Sequence, residues 1–546
     1  MNRRQLLAVG TVAILGFAAW FGSRGDADDK QSNWELIAPG VLRTKEMPYG
    51  YAIIEDGHAL LIDAPVSGDG LKSLGVKAID AVLLTHHHRD SVAAVDWYLN
   101  AKVLVRAPML AANVLTPEGV AKYWKESIPL RGSRTSYFVV PVGFTGIDCT
   151  LEDGQKIEWR GHSIQVIGTP RHSRDHLSFS VVARKEKTPF IFSGDSLAER
   201  GRLSTPFTID WNHWTDLGLK PTYESRHKLA GLKPSALYPS HGKPITQNTV
   251  ATLEDTAKAV EEVAFLKSFT RFTNRIGDVP KHSFLVPKEQ IASAGDKPWA
   301  KVSEHIWITG NTYVLASKEK KAFLVIDPWG QRSADQIAKL KKDQDLGSPE
   351  RAMFSHAHFD HYDGIHNLPD RETFKVWTLD RVAEPIADPN RIRAPFLDTR
   401  RLTVDQRFKD GDTAAWREFT FRFHFFPGQT EYTMAVETTI DGKKCLFTAD
   451  NFYHQEEFSG SGGWMGLNRS FPLPYAASAK KVLEIGPEWV LAEHGGPFEF
   501  NAEDFKRRVT WGEASAKAAD AISISGNHRR DWDPHRITVE PVIVKA

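Results

Sequence analysis

Cysteine is nearly missing from this 546-residue chain, which carries only Cys149 and Cys445. Two thiols, one in each half, exclude a disulfide scaffold and a cysteine-rich zinc site. Excess charge is missing too, since 69 Lys+Arg stand against 68 Asp+Glu, a formal net charge of +1. Such a balance gives no electrostatic footprint for nucleic acid. Long uncharged runs are confined to the N-terminus, and 41% hydrophobic with 25% charged residues is globular composition. Disordered, collagenous and polytopic membrane classes are thereby excluded. The length suits two large domains or about three smaller ones. Histidine is what the chain has, 21 residues in all. With thiols so scarce, imidazole is the natural metal donor.

Arg3 and Arg4 precede an uncharged run from Gln5 to Ser23, followed by Arg24 and the acidic Asp26, Asp28 and Asp29. A basic start followed by an apolar run is the pattern of an export signal. The arginine pair followed by Leu6 and Leu7 also resembles a bacterial twin-arginine signal. Gly25-Asp26-Ala27 is a poor cleavage site, and a run of about 19 residues is long enough to stay behind as a membrane anchor. Residues 1–30 are therefore expected to be an export signal or anchor, with the remainder periplasmic or tethered to the membrane.

The rest of the chain repeats itself. HALLIDAP, ending its apolar run at Asp63, matches AFLVIDPW with Asp327. THHHRDS, with His86, matches SHAHFDH with His356. TPRHS with Pro170 matches FPGQT with Pro427, FIFSGDS with Asp195 matches CLFTADN with Asp450, and YPSHGKP with His241 matches LAEHGGP with His494. The landmarks keep their order at offsets of 253 to 270 residues, so the halves read as two copies of one domain. Most landmarks are short apolar runs, such as Val82-Leu83-Leu84 or Phe190-Ile191-Phe192, that stop abruptly in polar residues. Runs of this length suit strands buried on both faces, with ligands at their ends. Residues 253–269 carry apolar residues at helical spacing and predict a helix. The expected division is a first domain at 31–272, a Pro- and Gly-containing linker at 273–301, a second domain at 302–523 and a tail at 524–546.

The second copy contains His356-Ala-His358-Phe-Asp360-His361, an H-x-H-x-D-H signature. Side chains alternate along an extended segment, so His356 and His358 point toward one locus, and Asp360 and His361 follow past the turn. With these motifs the chain resembles the metallo-β-lactamase-fold hydrolase superfamily, and in particular its glyoxalase II-like members. The resemblance extends over nearly the whole chain after the N-terminal segment, twice. It implies an α+β architecture of two tandem αββα sandwiches, each with one or two metal ions at one edge of its packed sheets. Zinc is the implied metal, and iron and manganese accept the same imidazole and carboxylate donors.

By this resemblance the second copy's metal residues are His356, His358, Asp360, His361, Asp450 and His494. Gln429 stands where the family has a later histidine. In the first copy they are His86, His88, Asp90, His172, Asp195 and His241, with Ser91 in place of the motif's last histidine. Asp63 and Asp327 are expected to form structural hydrogen bonds. His87 should point away from its neighbours as a supporting or surface residue, and His176, His213, His424 and His454 as packing or pocket lining. The reaction implied is hydrolysis by a metal-bound hydroxide, with Asp90 or Asp360 orienting the nucleophile and carrying a proton. On ligand quality the three-histidine set of the first copy is narrowly favoured as the working site.

The expected substrate is a small molecule, an ester, lactone, amide, phosphate or sulfate. Aromatics following Asp195 (Phe207, Trp211, Trp214) and Asp450 (Phe452, Tyr453, Trp464, Phe471, Tyr475) suit an apolar or planar ligand. No nuclease-type insertion is present, which argues against nucleic acid. Two rival readings are an iron-binding oxidoreductase of the same fold and a non-catalytic metal-binding module at the cell envelope. The first lacks the characteristic carboxylate, since His358 stands at that position. The second follows from the ligand losses in both copies.

Overall fold

The computed structural model describes residues 32–127, 142–144, 147–170, 172–204, 218–266, 268–278, 281–287, 299–389, 397–398, 400–452 and 472–531. The N-terminal segment, Arg171, Phe207, Trp211, His213, Trp214, Tyr453, His454, Trp464, Phe471 and the tail beyond Asp531 lie outside them. No helix among the described residues is long and apolar enough to cross a membrane.

Side-chain alternation builds the layers of the first copy. In the strand His58–Ile62, Leu60 and Ile62 face one way while Ala59 and Leu61 face the other, and all four are buried. Leu60 and Ile62, with Leu83, pack against Ile164, Val166, Phe179 and Phe192 of a second sheet. Ala59, Leu61 and Val82 pack against Val92, Val95 and Tyr98, which lie on outer helical segments. Beyond the second sheet, Ile191 and Leu237 meet Leu229 and Leu253 from the helices Leu219–Gly231 and Thr249–Leu266. The result is helix, sheet, sheet, helix, the αββα sandwich expected from the motifs. The sheets have seven and five strands in the first copy, and seven and six in the second.

Each seven-stranded sheet turns from antiparallel to parallel pairing at its centre. His58–Ile62 pairs in parallel with Ala78–Leu83, as Ala322–Ile326 does with Ser348–Met353. The histidine motifs follow directly on these parallel strands, so they emerge together at one edge of the sandwich. A buried tyrosine ties the two sheets together in each copy. Tyr51 donates to the Pro239 carbonyl at 2.6 Å, and Tyr313 donates to the Ala492 carbonyl at 2.7 Å. These carbonyls lie two residues before His241 and His494, so the tyrosines fix the strand ends that present those imidazoles.

The copies share a core. Val260, Val263, Leu266 and Phe269 of the first half cluster with Ala435, Leu446, Val490, Trp511 and Ile522 of the second. The Trp511 indole donates to the Leu266 carbonyl at 2.6 Å, and the Leu203 amide donates to the Ile522 carbonyl at 2.8 Å. Part of the expected linker joins the second copy. The Leu285 amide bonds to the Pro497 carbonyl at 3.1 Å, and His282 lies 3.2 Å from Asp504, which also pairs with the fully buried Arg508 at 2.7 Å. Regular structure crosses both sequence boundaries, since the helix Phe269–Ile276 spans 272/273 and the strand Ala300–Lys301 opens the second copy's sheet before 302. Composition marks proline and glycine but not long-range pairing, which explains the offset.

Truncating Trp511 removes a buried indole from this shared core. Trp511→Ala should therefore cost about 3–5 kcal/mol, read by denaturant unfolding of the full chain. A loss under about 1 kcal/mol would show that the two copies are held together elsewhere.

Candidate metal centres

Each site is organised around a buried aspartate at the end of a strand. In the first copy the strand Phe190–Gly194 ends at Gly194, whose φ of +53° turns the chain so that Asp195 faces inward. Asp195 Oδ2 lies 3.6 Å from His86 Nε2 and 3.5 Å from His172 Nε2, and its Oδ1 is 2.6 Å from His241 Nδ1. His88 joins through its Nδ1, 2.6 Å from His172 Nε2. Donor atoms of His86, His88 and His172 all lie within 4.8 Å of one another. Asp90 stands at the rim, its Oδ2 3.7 Å from His241 Nε2. All six residues expected of the first copy thus converge.

The second copy repeats the plan with a second cluster added. Asp450 follows Ala449, which adopts the same left-handed conformation at φ +54°. Asp450 Oδ2 lies 3.9 Å from His356 Nε2, 3.2 Å from His361 Nε2 and 3.5 Å from His494 Nε2. Three overlapping donor groups result, His356 with His358 and Asp450, Asp360 with His361 and His494, and Asp327 with His356 and His361. Gln429, in the place of the missing histidine, gives its amide nitrogen to Asp450 Oδ2 at 2.7 Å, while its buried Oε1 has no hydrogen-bond partner.

Neighbouring groups aim the imidazoles. Thr85 Oγ1 lies 2.8 Å from His86 Nδ1 and 2.9 Å from Asp63 Oδ2. Ser355 repeats this relay, 3.0 Å from His356 Nδ1 and hydrogen-bonded to Asp327. With Nδ1 engaged, Nε2 faces the cluster, the arrangement in which an outer partner orients a metal ligand. The Nε2 atoms of His86 and His356 are buried without a hydrogen-bond partner. Such orphaned nitrogens beside carboxylates are what a bound cation would satisfy, so the residues fit a metal in both copies.

The electrostatics follow burial and charge. Burial pushes Asp63 up to about 7 against the opposing hydrogen bonds from Thr85. Burial and the neighbouring imidazoles hold His86 and His356 well below the usual histidine range. Burial also disfavours charge on His241, yet Asp195 and Asp90 outweigh it and push this imidazole up to about 9. Asp360 is lowered because His361 and His494 outweigh its burial.

The family can now be named on sequence as well as geometry. Residues 44–241 and 305–494 each match the model of the metallo-beta-lactamase superfamily, and the chain belongs to that family. A hydroxyacylglutathione hydrolase of Pseudomonas entomophila is 28% identical over 123 residues, 22% of this chain and 35% of that protein. A metallo-beta-lactamase fold-containing protein of Sulfurisphaera tokodaii is 27% identical over 216 residues, 37% of this chain and 77% of that protein. The chain spans 35% and 48% of the length of two of the hydroxyacylglutathione hydrolases that it matches. Among solved structures, an archaeal superfamily protein from Sulfolobus tokodaii aligns over 40% of this chain and 85% of its own, at 23% identity and a TM-score of 0.31. The subclass B3 metallo-beta-lactamase of Bradyrhizobium japonicum aligns over 43% and 95%, at 16% identity and a TM-score of 0.32.

Several residues took other places than their sequence spacing suggested. His87 is 2% exposed, so it is not a surface residue, and burial lowers it to about 4. His176 does more than pack. Its Nε2 accepts from the Asp195 amide at 3.0 Å and its Nδ1 lies 2.9 Å from Thr169 Oγ1, so it positions the aspartate. His424 pairs with Glu437 at 2.9 Å, away from the clusters. Asp327 bonds to His361 Nδ1 at 2.9 Å, in keeping with the structural role expected of it. Glu493 was not singled out from the sequence, although it precedes His494 and is 1% exposed.

The repeat alignment sets Thr433 against His176 and Ala449 against Gly194. A Cβ on Gly194 would meet His176 Nε2 at 2.7 Å and Thr85 Cβ at 2.9 Å, and a threonine at 176 removes the first of these contacts. Gly194→Ala should destabilise the protein by about 1–3 kcal/mol through overpacking. Adding His176→Thr should recover part of that loss in thermal unfolding, relative to His176→Thr alone. An equal loss in the double variant would refute the pairing.

Proposed function

We propose that the protein is an exported metal-dependent hydrolase in which the second copy carries the chemistry. The carrying observation is Asp450 Oδ2, one carboxylate oxygen within 3.9 Å of the Nε2 atoms of three histidines. His356, His358 and Asp450 would hold one ion, and Asp360, His361 and His494 a second beside it. Two adjoining donor sets favour this copy over the first, although the first has the better three-histidine set. A bound zinc-class ion supplies Lewis acidity toward a carbonyl or phosphoryl oxygen and acidifies water.

The chain's own residues supply the remainder. Ser355 and Asp327 fix the ring of His356, Asp327 also holds His361, and Gln429 steadies Asp450. Asp360 Oδ2, 3.3 Å from His494 Nε2, is kept ionised by His361 and His494 and sits at the partly open side, where it can accept a hydrogen bond from an attacking water and orient it. Relatives named for hydrolysis of hydroxyacylglutathione support a carbonyl substrate, with esters, thioesters, lactones and amides ahead of phosphates and sulfates.

With zinc-loaded protein and a panel of such substrates, His361→Ala should lower kcat/KM by at least about 100-fold. His172→Ala should leave most of the activity. Asp450→Ala should lower the zinc content of the full chain while the first copy keeps its metal, as read by elemental analysis. The reverse pattern of activity would move the chemistry to the first copy, and unchanged zinc in Asp450→Ala would remove the second site.

Export is the second part of the proposal, resting on Arg3, Arg4 and the uncharged run to Ser23. Fusing residues 1–30 to a reporter that works only outside the cytoplasm should give signal in bacteria, and Arg3→Lys with Arg4→Lys should abolish it. Signal unaffected by that pair would exclude the twin-arginine route, and no signal from the native segment would exclude export.

A further inference from the structure

A cavity of about 340 Å³ opens beside the second metal cluster, with His494 in its wall. Thr309 and Asn311, on the hairpin that joins Ile306–Thr309 to Thr312–Ala316, line one side. Asn311 Nδ2 donates to the Asp360 carbonyl at 3.1 Å, which fastens this wall to the metal motif. Trp329 and Arg332, at the start of the helix Gly330–Asp343, line the other side. The Trp329 ring is 45% exposed, unusual for so large an apolar group. Arg332 is exposed. Glu493 lies in the wall with both carboxyl oxygens buried and without a hydrogen-bond partner. The repeat alignment sets Pro65 of the first copy against Trp329, so the first copy lacks the tryptophan at this place.

We propose that this cavity is the substrate pocket of the second copy and that it selects substrates with a flat apolar body ending in an anionic group. The inference rests on the hydrolase reading above and adds the substrate class. Trp329 offers a face for a planar body. Arg332 supplies a fork of N–H donors that matches a carboxylate or phosphate, and the positive end of its helix adds to the same attraction. A ligand held in this way reaches from Arg332 toward His494, where its ester or amide carbonyl meets the metal cluster.

The test uses the full-length, zinc-loaded protein and two matched pairs of probes. Phenyl acetate and 4-acetoxybenzoate are the hydrolysable pair, and acetanilide and 4-acetamidobenzoate are the slow-reacting pair for calorimetry. The wild type should prefer 4-acetoxybenzoate by roughly tenfold in kcat/KM, the worth of one charge-assisted contact. Arg332→Glu should reverse that preference and Arg332→Lys should keep part of it. Calorimetry should show 4-acetamidobenzoate binding more tightly than acetanilide, with the difference lost in Arg332→Glu and both probes weakened in Trp329→Ala. Binding that depends on Arg332 with neither ester cleaved would uphold the pocket and overturn the hydrolase reading. Cleavage of both esters with no preference, together with binding indifferent to Arg332, would uphold hydrolysis and overturn the pocket.

Discussion

The arrangement of both sites depends on one constraint, a carboxylate buried at the point where a strand turns through a left-handed residue. Gly194 and Ala449 sit at φ +53° and +54°, a region that costs an L-residue roughly 1–2 kcal/mol. The turn drives Asp195 and Asp450 into the sandwich edge, where they are 1% and 2% exposed. An ionised carboxylate is costly at such depth unless it is paired. The histidines supply that pairing, and their positions follow from the aspartate as much as from their own strands. The second copy has alanine at 449 and Thr433 in the place of His176, so the residue at the turn and its packing partner differ together.

Duplication has let the two sites drift in different directions around this shared frame. Where the second copy has His361 bonded to Asp327, the first has Ser91, buried with its hydroxyl unpartnered. Asp63 is left with Thr85 as its hydrogen-bond donor, and burial carries its carboxyl up to about 7. Conversely, the first copy keeps His172, whose place Gln429 takes in the second. An amide cannot match imidazole as a donor to zinc, but it can hold Asp450 through its nitrogen at 2.7 Å. One copy has lost part of its second donor set, and the other has turned a ligand position into a support.

Much of this was legible in the sequence because the motifs are local. His356, His358, Asp360 and His361 fall within six residues, and their spacing alone dictates that they share a locus. The later landmarks, Asp195, His241, Asp450 and His494, were readable because the repeat supplied a second instance of each. What remained hidden was non-local. Nothing near His176 announces that its ring accepts from the Asp195 amide, since the pairing depends on two strands meeting. The contact of Trp511 with Leu266 joins residues 245 positions apart, and it makes the halves one body where the linker composition suggested two. Trp329 and Arg332 read as ordinary helix-start residues until the hairpin around Asn311 closes a cavity against them.

The buried carboxylates also explain which histidines carry charge. His361 lies between Asp327 at 2.9 Å, Asp450 at 3.2 Å and Asp360 at 3.6 Å. Burial disfavours its protonation, but the three carboxylates outweigh burial and raise it well above the ordinary value. His494 is raised too, Asp450 and Asp360 outweighing its burial, and its counterpart His241, held 2.6 Å from Asp195, is raised to about 9 in the first copy, which has no imidazole at the position of His361. Both sites thus set a raised imidazole against the central aspartate at the equivalent position, and the second copy adds His361. A cation bound at such a site would compete with protons for the same imidazoles. The substitution of Ser91 for histidine therefore changes more than the number of ligands. It removes the fully buried imidazole that in the second copy stands between Asp327 and Asp450.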